Sequence, residues 1–137
     1  MAIHDIRSDI DQKLALNAGI SSNTTTNGSI IDTANFDGGL MFGVMVQAYT
    51  DGTYNFTLEE GDDSGLSDAA AVPAESLIGS LADLELTAVT ANGGNLLTIG
   101  IFSNKRYVRI NAVSTSVTTG ATVVAVVSQK GEQLPVT

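Results

Sequence analysis

Cysteine and tryptophan are absent from this chain, histidine occurs once, and there are two prolines in 137 residues. Without cysteine there is no disulfide, no thiolate metal ligand and no cysteine nucleophile, a composition suited to a protein made and assembled in a reducing cytoplasm. The single histidine, His4, lies near the N-terminus and reads as a surface residue, so hydrolase chemistry has no evident general base. No Gly-x-Ser-x-Gly is present, and Gly93-Gly94-Asn95 lacks the lysine and following helix of a phosphate loop. The longest apolar run, Val123–Val127, is strand-sized, far from the roughly 18 residues of a membrane span. The first residues lack the apolar core of a signal peptide. Basic residues are scarce: 6 against 15 acidic ones, a formal charge of −9. Such a surface repels phosphate backbones, so neither nucleic acid nor membrane is expected as a partner. Charged residues make up only 15% of the chain, against about a quarter in typical domains. Serine, threonine, asparagine and glycine supply much of the polarity instead.

What is present fits one domain with a real core. The hydrophobic fraction is 43%, too high for disorder. A chain of this length buries roughly two-thirds of its unfolded surface on folding. Residues 1–20 read as an N-terminal arm, and residues 21–137 as the β domain. In the arm, Ile3, Ile6, Ile10 and Leu14 recur at spacings of three and four, which suits a short amphipathic helix. An extended arm that docks on a neighbour is the alternative. Beyond it, turn signals punctuate the chain at Asn27-Gly28, Asp37-Gly38-Gly39, Asp51-Gly52, Gly61 to Gly65, Asn92 to Asn95, Ser103-Asn104 and Thr119-Gly120. This spacing predicts a sandwich or barrel of short strands. The strands expected are Ile20–Thr26, Ser29–Thr33, Leu40–Tyr49, Thr53–Glu60, Leu84–Thr90, Leu96–Phe102, Tyr107–Val113 and Thr122–Gln129. Residues 67–83 read as a loop holding either a strand at Leu77–Leu81 or a helical turn after Pro73.

The plainest local signal is Asp51-Gly-Thr-Tyr-Asn-Phe-Thr-Leu58. Asp51-Gly52 suits a two-residue hairpin turn, with the apolar stretch Gly39–Tyr49 as the partner strand. Tyr54, Phe56 and Leu58 share one face and Asn55, Thr57 and Glu59 the other. Two strands are apolar on both faces. In the first, Met41 and Met45 lie opposite Leu40, Phe42, Val44 and Val46. In the second, residues 122–127, valines fall on both sides. The second face requires a cover, either the arm or a loop of the same chain, or a subunit contact.

The acidic group Glu59, Glu60, Asp62 and Asp63 is too tightly clustered to be two carboxylates facing across a glycosidase cleft. With Asp68 it offers oxygen ligands for calcium, but not in EF-hand spacing; it reads better as a solvated rim. Lys105, Arg106 and Arg109 form the one basic cluster, with Tyr107 and Arg109 on the face opposite Val108 and Ile110. They read either as a solvated strand face or as an electrostatic contact with an acidic partner surface, such as Glu59, Asp62 and Asp63 of another subunit. No cofactor is expected.

Taken in order, Asp51-Gly-Thr-Tyr-Asn-Phe-Thr-Leu-Glu-Glu-Gly-Asp-Asp63, then Ile99-Gly100, Ser103-Asn-Lys-Arg-Tyr-Val-Arg-Ile110, a valine-rich last strand and Leu134-Pro135-Val136, this chain resembles the small capsid decoration (cement) proteins of tailed phages and prophages. Upstream, Ala15-Leu16-Asn17, Thr26-Asn-Gly28, Ile31-Asp32-Thr33 and Phe36 extend the resemblance over nearly the whole length. It implies an all-β, jelly-roll-like antiparallel sandwich of about eight strands with an N-terminal arm. It implies a structural virion protein without catalysis, a homodimer or homotrimer bound to the major capsid protein on the outside of the shell, assembled in the bacterial host cytoplasm. The interface residues expected are those singled out above: the arm isoleucines and Leu14, the two methionines, and the facing basic and acidic clusters. The alternative is a carbohydrate- or host-surface-binding sandwich on a virion, which the absence of tryptophan weakens. A metal-dependent hydrolase comes third.

Overall fold

The computed structural model describes residues 10–33, 36–88 and 96–131. They form an all-β fold of two antiparallel sheets packed face to face, broadly a sandwich. The strands are β1 (Ile10–Ile20), β2 (Thr25–Asn27), β3 (Ile31–Asp32), β4 (Phe36–Gln47), β5 (Thr53–Gly61), β6 (Ala70–Ala71), β7 (Leu77–Ile78), β8 (Leu97–Phe102), β9 (Tyr107–Thr115) and β10 (Ala121–Gly131). The first sheet has the order β1-β10-β4-β8-β7. The second has the order β2-β9-β5-β6, with β3 also on β9. Two short 3-10 turns, Ala74–Ser76 and Leu81–Leu84, link β6, β7 and β8.

Period-2 alternation builds the core from both inner faces. Phe42 and Val44 of β4, Ile99 and Ile101 of β8, and Val123, Ala125 and Val127 of β10 meet Tyr54, Phe56 and Leu58 of β5 and Val108 and Ile110 of β9. The turn at Leu81–Leu84 drops Leu84 and the following Leu86 fully into this core. Leu86 also exchanges two backbone hydrogen bonds with Tyr54, each 2.9 Å.

The alternation of β5 and β9 is as expected, but several local expectations give way to tertiary structure. Asp51-Gly52 does not close a hairpin between β4 and β5. β5 pairs with β9 and β6, while β4 pairs with β10 and β8 in the other sheet. The chain crosses between sheets here, at Ala48 (φ 49°) and Gly52 (φ 103°). The Asp51 carboxylate accepts backbone N–H bonds from Thr118, Thr119 and Gly120, at 2.8 to 3.1 Å, tying this corner to the β9–β10 corner. The Thr119 amide leads the set that holds Asp51 below the ordinary aspartate range. The hydroxyls of Tyr49 and Tyr54 donate to the carbonyls of Gly52 and Asp51.

The arm is extended, not helical, over residues 10–20. There it is β1, paired along its length with β10 and contributing Ala15, Leu16 and Ile20 to the core. Ile10 and Leu14 stand four apart, an even spacing that keeps them on one face of a strand as well as of a helix. Ile3 and Ile6 lie outside the described residues, as do His4, the Asn92–Asn95 turn and the Leu134–Val136 tail. Asp37-Gly38-Gly39 is not a turn but part of β4, with Gly39 opposite Phe102. The strand expected from Ile20 is split by a corner at residues 21–24, held by Ser114 Oγ. The strand expected at Leu84–Thr90 is replaced, as far as it is described, by the 3-10 turn and the Leu86 bridge. Residues 67–83 hold both the turn after Pro73 and a two-residue strand, β7.

Candidate interaction surface

Where alternate residues of the first sheet fill the core, the intervening ones face outward. On β4 these are Met41, Gly43 and Met45; on β8, Thr98, Gly100 and Phe102; on β1, Ile10, Gln12 and Leu14. Three glycines on this face leave room for neighbouring side chains to lie across the sheet. A Cβ on Gly39 would sit 3.6 Å from the Phe102 ring, one on Gly43 3.2 Å from Leu96, and one on Gly100 3.2 Å from Ile78. The outcome is a groove of about 670 Å³ lined by Ile10, Met41, Ile78 and Phe102.

All six exposed large hydrophobics among the described residues lie on this face: Ile10 at 37%, Leu14 at 53%, Met41 at 46%, Ile78 and Leu96 at 59%, and Phe102 at 56%. Six half-exposed side chains of this size present on the order of 500 Å² of apolar surface, near the upper limit for a monomer's largest patch. The half-buried Met45, Val124 and Val126 extend it toward the ~800 Å² per partner of a standard protein interface. This arrangement can bind another protein surface by apolar burial.

The outward face of the second sheet is different in kind. Arg109 on β9 stands opposite Glu59 on β5, and its Nε and Nη2 donate to Glu59 Oε2 at 3.1 and 2.6 Å. A hydrogen bond from Asn111, then Arg109, holds the Glu59 carboxyl below the usual glutamate range. Arg106 forms a two-pronged pair with Asp32, both bonds 3.0 Å, and its guanidinium lies 5.1 Å from the Tyr107 ring centre. Lys105 meets Asp62 at 2.9 Å, which holds its ammonium above the ordinary lysine range. So the structure brings the basic and acidic clusters together within one chain, where carboxylates of a second subunit had been one expectation.

The acidic loop after β5 folds around its own backbone. Asp68 accepts the amides of Asp62 and Asp63, and Asp63 accepts those of Gly65 and Ser67. The Ser67 amide foremost lowers Asp63, and the Asp62 amide foremost lowers Asp68. No group of three or more metal-ligating side chains is assembled among the described residues. No helix among them is long and apolar enough to cross a membrane.

Of the residues expected at an interface, Ile10, Leu14, Met41 and Met45 gather on the apolar face. Glu59, Asp62, Lys105, Arg106, Tyr107 and Arg109 gather on or beside the polar face of the other sheet, and Asp63 turns to its own loop. Phe102, Ile78 and Leu96 were not anticipated. Phe102 carried a readable signal: it follows Ile99 and Ile101 on the opposite parity, as a large apolar residue on the outward side of β8.

Comparison with known proteins finds no matching family model, no matching curated protein and no matching solved structure.

Proposed function

We propose that this chain is a structural cement protein of a phage shell, which binds the outer surface of an assembled capsid where major capsid subunits meet. The observation that carries the reading is the division of the two outward faces. One gathers the exposed apolar side chains around a groove, and the other is polar and laced with ion pairs. Such a molecule has one sticky side and one solvated side, as a subunit lying flat on a larger assembly requires. The strand order supports a jelly roll. β1-β10-β4-β8 faces β2-β9-β5-β6, so the chain alternates between sheets in the manner of two nested Greek keys, with β7 as an added edge strand. The sequence resemblance to decoration proteins points the same way.

The physical role follows from linkage. A protein that binds only the mature lattice stabilises that lattice by its binding free energy. A subunit or oligomer that touches several capsid proteins at once gains further through effective concentration. The net charge of −9 keeps coated particles soluble and apart. The test is to mix the protein with purified mature shells that lack it and to pellet them. Saturable, stoichiometric co-sedimentation is expected. Failure to pellet, together with selective binding on a glycan array, would replace this reading with the carbohydrate-binding one.

A further inference from the structure

The groove on the first sheet contains a slot of defined width, and we infer that it takes an aromatic side chain of a partner protein, carried between lysine or arginine residues. Large and small residues alternate across β4 and β8. Gly39 stands opposite Phe102, and Met41 opposite Gly100, with Ile78 of β7 beyond. The Phe102 ring leans over Gly39, 3.6 Å from where a Cβ would sit, and Ile78 leans over Gly100 at 3.2 Å. Set over Gly39, the Phe102 ring stands two residues along β4 from Met41, about 7 Å. Carbon atoms in contact lie about 3.5 Å apart. A gap of this width holds one layer of atoms with a contact on each side. That is the thickness of a flat ring and less than that of a branched aliphatic chain. Ile10 lines the groove on the β1 side.

Both walls of the slot favour an aromatic occupant. The half-exposed Phe102 ring offers a ring-to-ring contact, and the half-exposed Met41 offers a thioether to the other side of the incoming ring. Aromatic anchors seated in such pockets are the usual hot spots of an interface. The whole groove, about 670 Å³, is larger than one side chain and within the range of pockets that hold a drug-sized molecule, so the residues on either side of the anchor are covered as well. The rim sets their charge. On the other sheet Asp32, Glu59 and Asp62 pair with Arg106, Arg109 and Lys105, while Asp63 and Asp68 accept amides of their own loop. Glu75 and Asp83 are exposed and bracket Ile78, three residues before it and five after. Their carboxylates meet neither a cation nor an amide among the described residues. Basic residues beside the anchor meet these two charges, and acidic ones are repelled by them. The inference rests on the cement reading for the identity of the partner, which is then the shell protein.

The probes are three capped peptides, acetyl-Lys-Trp-Lys-amide, acetyl-Lys-Leu-Lys-amide and acetyl-Glu-Trp-Glu-amide. Each is titrated into the whole protein while the methionine methyl signals are followed by NMR. The Lys-Trp-Lys peptide should move the Met41 methyl upfield through the indole ring current, and the other two should bind roughly tenfold more weakly or worse. Glu75→Lys combined with Asp83→Lys, both at exposed positions, should reverse the charge preference at low salt, and 1 M salt should narrow the difference. Phe102→Ala should weaken Lys-Trp-Lys binding by roughly tenfold. Equal binding of the leucine peptide overturns the inference, as does a Met41 signal that no peptide moves, or a charge preference that the double variant leaves unchanged. Shell co-sedimentation is scored separately. A protein that pellets with shells but ignores the tryptophan peptide sinks the anchor alone, and one that binds the peptide but ignores shells sinks the cement reading alone.

Discussion

Gln129 offers a direct measurement of what a misplaced amide costs this fold. It continues the inward series Val123, Ala125 and Val127 on β10, opposite Leu40 of β4, and is fully buried. Neither its Oε1 nor its Nε2 has a hydrogen-bond partner among the described residues. A buried polar group without a partner costs ~1–3 kcal/mol, and this side chain has one at each face of its amide. Gln129→Met keeps the length and nearly the volume, and volume-conserving swaps in cores cost less than ~1.5 kcal/mol. The balance is a net stabilisation of about 2 kcal/mol, a sizeable share of the ~5–15 kcal/mol typical of a domain. In urea the unfolding midpoint should rise by about 1 M with the slope unchanged. The melting temperature should rise by roughly 5–10 °C. An unchanged or lower midpoint at constant slope would refute the reasoning, because it would mean the amide is engaged in the folded protein.

Three further outcomes follow. Replacing Phe102 and Ile78 together by serine should leave the free energy of unfolding within about 1 kcal/mol of wild type, since both are more than half exposed. The same variant should lose tenfold or more in shell binding by co-sedimentation, and undiminished binding would remove the groove from the interface. Arg109→Glu sets two like charges opposite one another on β9 and β5 and should destabilise by about 1–2 kcal/mol at low salt, with a smaller loss at 1 M salt, read by denaturant titration. For pH, the folded-state pKa values of Asp51, Asp63 and Asp68 lie below the ordinary 3.8, and that of Glu59 below 4.5. Their contribution to stability is therefore complete above about pH 5 and is lost as pH falls through those lowered values. Melts should be flat on this account from pH 7 to 5 and drop below pH 4. Asp51→Asn should lower the neutral melting temperature and shallow that acid slope, and an unaltered slope would exclude Asp51 as a contributor.

The core was legible because its signal is local. Tyr54, Phe56 and Leu58, or Val108 and Ile110, declare their faces by parity alone. The corner at Asp51-Gly52 was misread because turn propensity specifies a change of direction, not the strand that receives it. Asp51 is held by amides 67 to 69 residues away, and no short window contains both. β1 was ambiguous because a spacing of four fits both periods, and only its long-range pairing with β10 decides between them. The candidate surface was half legible: Met41 and Met45 stood out by parity. Ile78 could not be assigned to the same patch before its partner Gly100 was known.

The position of β10 constrains when the molecule can form. β10 lies between β1 and β4 and carries both pairings, while those two earlier strands share none. As the polypeptide leaves the ribosome, β1 and β4 are therefore separate strands with no common ladder until residue 131 is available. The β4-β8-β7 ladder that lines the groove can pair once Phe102 has been made, but β1 can join that sheet only after β10 is synthesised, and until then the edge of β4 that β10 covers stays open to chaperones and to other chains.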